Sequence, residues 1–370
     1  MDTSKAVQYH YDGFPPQQID YEVLLNPLLR AADALARYDQ MLKGLHNSEL
    51  LLAPLRNQEA VFSSRMEGTI STMDEILRYD AESVGEEYVP EMRSEVVETI
   101  LYRRTLITAQ EELQEGRPFS PHLIQGMHQQ LLSIGRGADK APGQFKAEQN
   151  YLADKPKQQI LFVPIAPEHL RGGLERLFEY MNADTHPPLF RAGVMHLEFE
   201  ALHPFKDGNG RIGRMLITLH MWRMGLISAP HFYMSGYFDK HKDEYIDTMR
   251  EVSRSGRWEA WCGFFFRAVE DRALKNIATA ERIKTLYEDM KVHFTDALGS
   301  KRSVMALDYV FTNPVFRSSQ FLKKSGIPPA SARRFIRVLA ERQLIKTLAP
   351  GSGRRATLYS FEPLMKLVRI

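Results

Sequence analysis

Apolar residues recur at three- and four-residue spacing through "VLLNPLLRAADALARYDQML" and "ELLLAPLRNQEAVFSSRMEG", so residues 21–78 read as amphipathic helices broken at Pro27 and Pro54. The polar start before them, with "GFPPQQ", reads as an extended arm over residues 1–20. A further helix is expected over residues 90–115, ended by Gly116 and Pro118. "SPHLIQGMHQQLL" then opens with Ser120 as N-cap and Pro121 at the first helical position. Between residues 135 and 167 the periodicity gives way to Gly, Pro and Lys, and only "QQILFVP" alternates like a strand. That is enough for one hairpin and too little for a doubly wound sheet. Helical spacing resumes in "EHLRGGLERLFEYMN", "LFRAGVMHLEFEALH", "GRMLITLHMWRMG", "KDEYIDTMREVSR" and the long run from "WEAWCGFFFRAV" to "EDMKVHF".

The end of the chain changes again. "SSQFLKKSG" and "PASARRFIRVLAERQLI" predict two short helices, and "KTLAPGSGRRATLYSF" two strands around a Gly-rich loop, which is the outline of a winged helix. The expected organisation is mainly α: an arm (1–20), an N-terminal helical region (21–114), an all-helical core with one short hairpin (115–275), a linker helix (276–300) and a small winged-helix domain (301–370).

Composition sharpens this picture in two places. A single cysteine, Cys262, excludes an internal disulfide; with no signal pattern and no membrane-length apolar run, a cytoplasmic protein without a membrane partner is expected. The net charge of +2 hides an asymmetry: residues 301–370 carry 14 Lys and Arg against 3 Asp and Glu, leaving about −9 on the rest. A basic tail on an acidic body suggests that the two parts meet different partners.

The densest chemistry lies in "HPFKDGNGRIGR", residues 203–214. Its glycines spell G-x-G-x-x-G, but a dinucleotide site needs a preceding strand, and "MHLEFEALH" is helical. His196, Glu200 and His203 imitate a zinc spacing, yet the H-E-x-x-H order is absent and Pro204 ends the helix, so His196 reads as a core histidine. An anion nest accounts for every position. "GNG" exposes successive N–H groups at the start of the next helix, where the helix dipole also favours negative charge. Arg211 and Arg214 share one helical face and suit phosphate oxygens, Asp207 suits Mg²⁺ shared with a polyphosphate, and His203 suits a general base. Attack of a hydroxyl on a phosphorus of a Mg-nucleotide is the chemistry this set favours.

The twelve residues satisfy H-P-F-x-[D/E]-G-N-G-R-x-x-R, and the chain thereby resembles the Fic-domain family, with "PGQFKAEQN", "ILFVPIAP" and "WEAWCGFFFRAV" extending the likeness over residues 115–275. The resemblance implies a protein adenylyltransferase that moves AMP from ATP, with Mg²⁺, to a Ser, Thr or Tyr hydroxyl of a protein substrate. His203 would deprotonate that hydroxyl and Asp207 would hold the metal. The nucleotide-binding stretch would be Gly208, Asn209, Gly210, Arg211, Ile212, Gly213 and Arg214, with Asn209 and the Gly208 and Gly210 amides on the α-phosphate and Arg214 closest to the γ. Phe205 would anchor the loop. Ile160, Leu161 and Phe162 would form a flap that aligns a target segment by strand addition. Where many relatives have two adjacent tyrosines near the adenine, this chain has Glu244 and Tyr245, so Tyr245 is the expected contact.

"SSRMEG" alone reads as a helix end closed by Gly68. Beside the Fic loop, Ser63, Glu67 and Gly68 resemble the family's inhibitory motif [S/T]-x-x-x-E-[G/N], in which the Glu67 carboxylate pairs with Arg214 and takes the place of the γ-phosphate. Two rivals stay open: removal of AMP by the same site, and a winged-helix regulator with a Fic sensor body. Self-modification and a homodimer are further expectations. For residues 301–370, DNA is the alternative to protein docking; Lys323, Lys324, Arg333, Arg334, Arg337, Arg354 and Arg355 are the charges concerned.

Overall fold

The computed structural model describes residues 3–44, 49–82, 93–154, 159–353 and 355–369. Pro90, Gln158 and Arg354, named above in the expected helix, strand and wing, lie outside the described residues. The arm holds a two-residue strand, β1 (Val7–Gln8), and is followed by α1 (Tyr21–Lys43), α2 (Glu49–Met66), α3 (Met73–Glu82), α4 (Ser94–Gln114) and α5 (Pro121–Leu131). A hairpin, β2 (Leu152–Asp154) and β3 (Gln159–Val163), leads to α6 (Pro167–Asn182), α7 (Pro188–Leu202), α8 (Asn209–Arg223), α9 (Ser235–Lys240), α10 (Lys242–Ser255) and α11 (Glu259–Leu298). The last part is α12 (Ser303–Thr312), β4 (Val315–Arg317), α13 (Ser318–Lys324), α14 (Pro329–Glu341), β5 (Lys346–Ala349), β6 (Leu358–Ser360) and α15 (Glu362–Val368). The fold is mainly α, as the periodicity predicts. Among the described residues no helix is long and apolar enough to cross a membrane.

Several boundaries follow from local chemistry. Asp20 caps α1 by accepting from the Glu22 and Val23 amides, and the Ser120 hydroxyl accepts from the Leu123 amide at the start of α5. Pro27 and Pro54, however, break nothing: both lie inside continuous helices. A proline costs an internal helix about 3 kcal/mol. Leu24, Ala31, Leu35, Tyr38 and Leu42 bury the face of α1, whose chief neighbour is α11, and this packing outweighs the cost.

The arm also differs from expectation. It is extended but not free: β1 pairs parallel with β3 (Val7 opposite Phe162), so β3 is the middle strand of a sheet ordered β1-β3-β2. Tyr9 and Phe14 are buried, and both Tyr9 Oη and His10 Nε2 bond the buried Glu198 of α7, at 2.6 and 2.9 Å. β2 therefore occupies one edge of β3 and the chain's own arm takes Phe162 and Val163 on the other, which limits strand addition to β3.

Two main apolar clusters divide the molecule. The larger surrounds α7 and α8 and takes in α1, α5, α6 and the first half of α11. The smaller is built from residues 280–368, and Met73, Leu77 and Ala81 of α3 belong to it. A single 40-residue helix, α11, runs from one to the other without a break at residue 275. In the smaller unit β4, β6 and β5 form an antiparallel sheet in that order, beside α13 and α14.

Candidate active site

The hairpin of α7 and α8 sets the site. Every residue of α7 named in its core is apolar apart from Arg191, His196 and Glu198, so the helix is fixed by packing on all sides. It ends at His203, which adopts a left-handed conformation (φ 46°) and so turns the chain out of the helix axis. Gly208 (φ 76°) makes the return, a conformation that favours glycine, and α8 starts at Asn209. The first helical bond is that of the Ile212 amide to the Gly208 carbonyl, at 3.1 Å, so the Asn209, Gly210 and Arg211 amides precede the ladder and are the donors of the nest.

The loop between is tied from several directions. Phe205 is fully buried and stacks on His128 with ring centroids 3.8 Å apart. His128 accepts from the Gly143 amide through Nδ1, so its Nε2–H donates to the Asp207 carbonyl (3.0 Å). Lys146 Nζ donates to the Leu202 carbonyl and to Asn150 Oδ1; Asn150 Nδ2 in turn donates to the His203 and Phe205 carbonyls, at 3.0 and 3.1 Å. Asn209 closes the loop from within, accepting from the Phe205 amide and donating to the Phe205 carbonyl. Its side chain is thus spent on the loop, and the group it can offer an α-phosphate is its backbone N–H.

His203 is half-buried. Its Nδ1 lies 3.3 Å from the Glu200 carbonyl, which can only accept, so Nδ1 carries the proton and Nε2 the free lone pair. Burial, with the Lys146 charge adding to it, lowers the imidazole pKa to about 4, so the ring is neutral at physiological pH. Burial likewise lowers Lys146 to about 7 and raises Glu200, whose Oε1 has no hydrogen-bond partner, to about 7.

Arg214 is buried and bonded to the end of α2 and the turn after it. Its Nε donates to Ser63 Oγ (2.8 Å), and its Nη2 to the Ser63 carbonyl (3.0 Å) and to Glu67 Oε1 (2.8 Å). Glu67 lies in the turn just past α2, with its side chain partly exposed. Burial would raise the Glu67 pKa, but Arg214 outweighs it and the carboxyl is held below its ordinary value. A Cβ on Gly210 would lie 2.4 Å from Glu67 Oε1, so the bare glycine is what lets the turn close onto the loop. Arg211 is buried beside them; its Nε and Nη1 have no hydrogen-bond partner, and its Nη2 lies 3.8 Å from Asp207.

Glu67, His203, Gly210 and Arg214 line a cavity of about 300 Å³ together with the apolar Leu152, Leu161, Phe162, Leu197, Ile246 and Met249. Leu161 and Phe162 are thus brought to the site; Ile160 is buried. Tyr245 lines the cavity, but its hydroxyl is 2.8 Å from Nε2 of the buried His196, whereas Glu244 pairs with Arg267. Ile212 packs in the core, with Gly213 buried behind the nest against Glu200 and Phe199. Asp207, partly exposed, accepts from the Gly208 amide and lies 3.8 Å from Arg211. No group of three or more metal-binding side chains gathers among the described residues, so a cation here would rest on Asp207 and on oxygens of a bound phosphate.

Sequence reasoning missed His128, Lys146 and Asn150, and weighed Glu200 only as part of a zinc spacing. Each is far from the loop in the chain or an ordinary helix residue. The one available signal was "FKAEQN", a lysine and an asparagine four apart beside the Pro142-Gly143 turn.

Comparison with known proteins adds to this geometry. Residues 118–221 match the Fic/DOC family, and residues 25–111 match the Fic/DOC family N-terminal region. A 102-residue stretch (27% of this chain) is 31% identical to protein adenylyltransferase fic-1 of Caenorhabditis elegans, covering 18% of that protein. A 71-residue stretch (19%) is 31% identical to a probable protein adenylyltransferase of Aquifex aeolicus, covering 20% of it. The chain therefore spans about a fifth of the length of these curated relatives. In fold it is similar to a Fic family protein from Desulfovibrio desulfuricans G20 (TM-score 0.59, 17% identity, 94% of this chain and 98% of that one). It is also similar to a fragment of C. elegans Fic-1 (TM-score 0.53, 20% identity, 73% and 80%).

Proposed function

The chain belongs to the Fic/DOC family, and from that premise we propose that it is a protein adenylyltransferase held inactive by its own Glu67. The target hydroxyl approaches His203 Nε2, which takes its proton as the oxygen attacks the α-phosphorus of ATP. A new P–O bond forms to the Ser, Thr or Tyr oxygen, the bond to the β-phosphate bridging oxygen breaks, and pyrophosphate leaves. The Asn209, Gly210 and Arg211 amides and the Arg211 guanidinium stabilise charge on the phosphates; preorganised donors of this kind supply much of the rate in such reactions. Mg²⁺, held by Asp207 and the phosphates, would neutralise part of that charge.

The observation that carries the reading is convergence: the neutral imidazole at the end of α7 and Gly210 and Arg214 of α8 line one cavity. With Glu67 on Arg214, the guanidinium that would hold the γ-phosphate is engaged, and ATP loses its productive pose. Intact-mass measurement after incubation with ATP and Mg²⁺ tests this. Glu67→Gly protein is expected to gain the mass of one AMP, through self-modification, and wild type little. No gain in the variant, with ATP bound by it, overturns the transferase reading.

A further inference from the structure

The smaller unit has a face that the proposed chemistry does not use. Between residues 309 and 361 the one carboxylate side chain is Glu341, against ten lysines and arginines. These charges are not spread evenly. Arg317 is buried against Glu82, Arg334 reaches back to the Leu298 carbonyl, and Lys324 lines a different cleft with Asp80. Arg333 and Arg337 remain on the outer face of α14, both exposed, one turn apart, and line a groove with Ser318 and Ser319 of α13 and with Ala356 and Tyr359 by the β5–β6 turn. Lys323 is exposed on the same short helix as the two serines, and Arg355 is exposed at the turn itself, where Ser352 and Arg355 pair through their backbones.

The shape agrees with the charge. An α-helix, a strand, two helices and a hairpin follow one another, with α14 packed against α11 and α13 and its exposed positions Ala330, Arg333 and Arg337 free of bulky apolar groups. At about 1.5 Å per residue, the 13 residues of α14 extend about 20 Å, and a helix of that kind enters a major groove about 12 Å wide. A docking face for a folded protein would be expected to show large apolar side chains. In this unit, among the described residues, the large apolar side chains that are exposed are Val292 on α11 and Met305 on α12, and neither lines the groove.

We propose that the C-terminal unit binds duplex DNA, with α14 in the major groove and Arg333, Arg337, Lys323 and Arg355 on the phosphates. This binding is separate from the adenylyl-transfer site and does not depend on that reading. Arg337 lies 3.8 Å from Glu341, a loose exposed contact that phosphate oxygens would displace.

Fluorescence anisotropy of the full chain with a labelled mixed-sequence duplex of about 30 bp, three helical turns, tests the proposal. Binding is expected, weakening at least about 10-fold between about 50 and 200 mM salt as counterions are released. Arg333→Ala with Arg337→Ala is expected to lose about 10-fold or more, whereas Arg282→Ala with Lys284→Ala, an equal charge change on the exposed side of α11, is expected to bind like wild type. Absence of binding by wild type overturns the proposal, as do equal losses in the two double variants. Displacement by poly-glutamate as effective as that by unlabelled duplex of equal charge also overturns it, since the groove would then accept any acidic chain.

Discussion

The loop of residues 203–208 and the turn of residues 66–69 meet at the cavity that Arg214 lines, yet they are held differently. The loop is fixed by His128, Lys146, Asn150 and Asn209, which bond or stack on nearly every residue from Leu202 to Asp207. The turn is pinned at its ends, by the buried Ser63 on Arg214 and by the buried Thr69 on Glu98, with Lys242 on the Met66 carbonyl. Between those pins Glu67 and Gly68 are exposed, and a side chain added at Gly68 would meet nothing within 4 Å. The reacting groups are over-determined, and the inhibiting group is fastened by one ion pair. A site built this way can be switched on by a local change without disturbing its chemistry.

The sharpest way to break this contrast is at the fixed side. His203→Ala in a Glu67→Gly background is expected to abolish labelling from α-phosphate-labelled ATP, a loss of at least about 100-fold, as removal of a general base requires. Labelling that survives would remove His203 from the chemistry. On the fastened side, Glu67→Gly alone is expected to raise labelling by about 10-fold or more, since a shift of about 1.4 kcal/mol in the inhibited population suffices for that factor.

Asn150→Ala tests whether the loop is truly set by its clamp. Loss of the bonds to the His203 and Phe205 carbonyls is expected to lower kcat about 10-fold in the released protein with KM for ATP little changed. A change in KM alone would place Asn150 in nucleotide binding. Ser63→Ala removes one of three bonds to Arg214 and is expected to release activity only a few-fold, less than Glu67→Gly.

The smallest effect expected is in the pH profile. His203 serves as base when neutral, so kcat/KM of the released enzyme should fall as pH drops through about 4, well below the usual histidine value. Lys146→Met withdraws a nearby positive charge, which should move that limb upward; an unmoved limb would leave burial as the sole cause. The Glu67–Arg214 pair runs the other way. Its carboxyl is held below the ordinary value, so the contact persists through neutral pH and is lost only as pH falls through that lowered pKa.

What could be read from the sequence follows from how local each determinant is. Gly208, Asn209, Gly210 and Arg211 declare a helix N-terminus and its nest within four residues, and Ser120-Pro121 declares a helix start. Glu67 could be paired with Arg214, 147 residues away, through family likeness and not through spacing. Lys146 and Asn150 carry no local sign of the carbonyls they hold, because those carbonyls belong to residues more than 50 positions on. Pro27 and Pro54 misled because their cost is local while the packing that outweighs it comes from α11, α4 and α9. The two-residue β1 has no alternation to detect; its place on β3 is fixed by Tyr9 and His10 reaching Glu198.

The basic unit at the end of the chain also lends α3 its support. Met73, Leu77 and Ala81 are buried within its core, Arg369 grips Asp74, Arg317 grips Glu82, and Gln58 of α2 donates to the Val368 carbonyl. Shortening the protein after residue 300 would bare Met73 and Leu77 to water, at roughly 1.5–3 kcal/mol for each, and leave the far flank of the segment that carries Glu67 to Thr69 on Glu98 and Ile76 against α4 alone. A truncated form prepared to isolate the catalytic half would thus have a weakened brake, and its activity would overstate that of the whole chain.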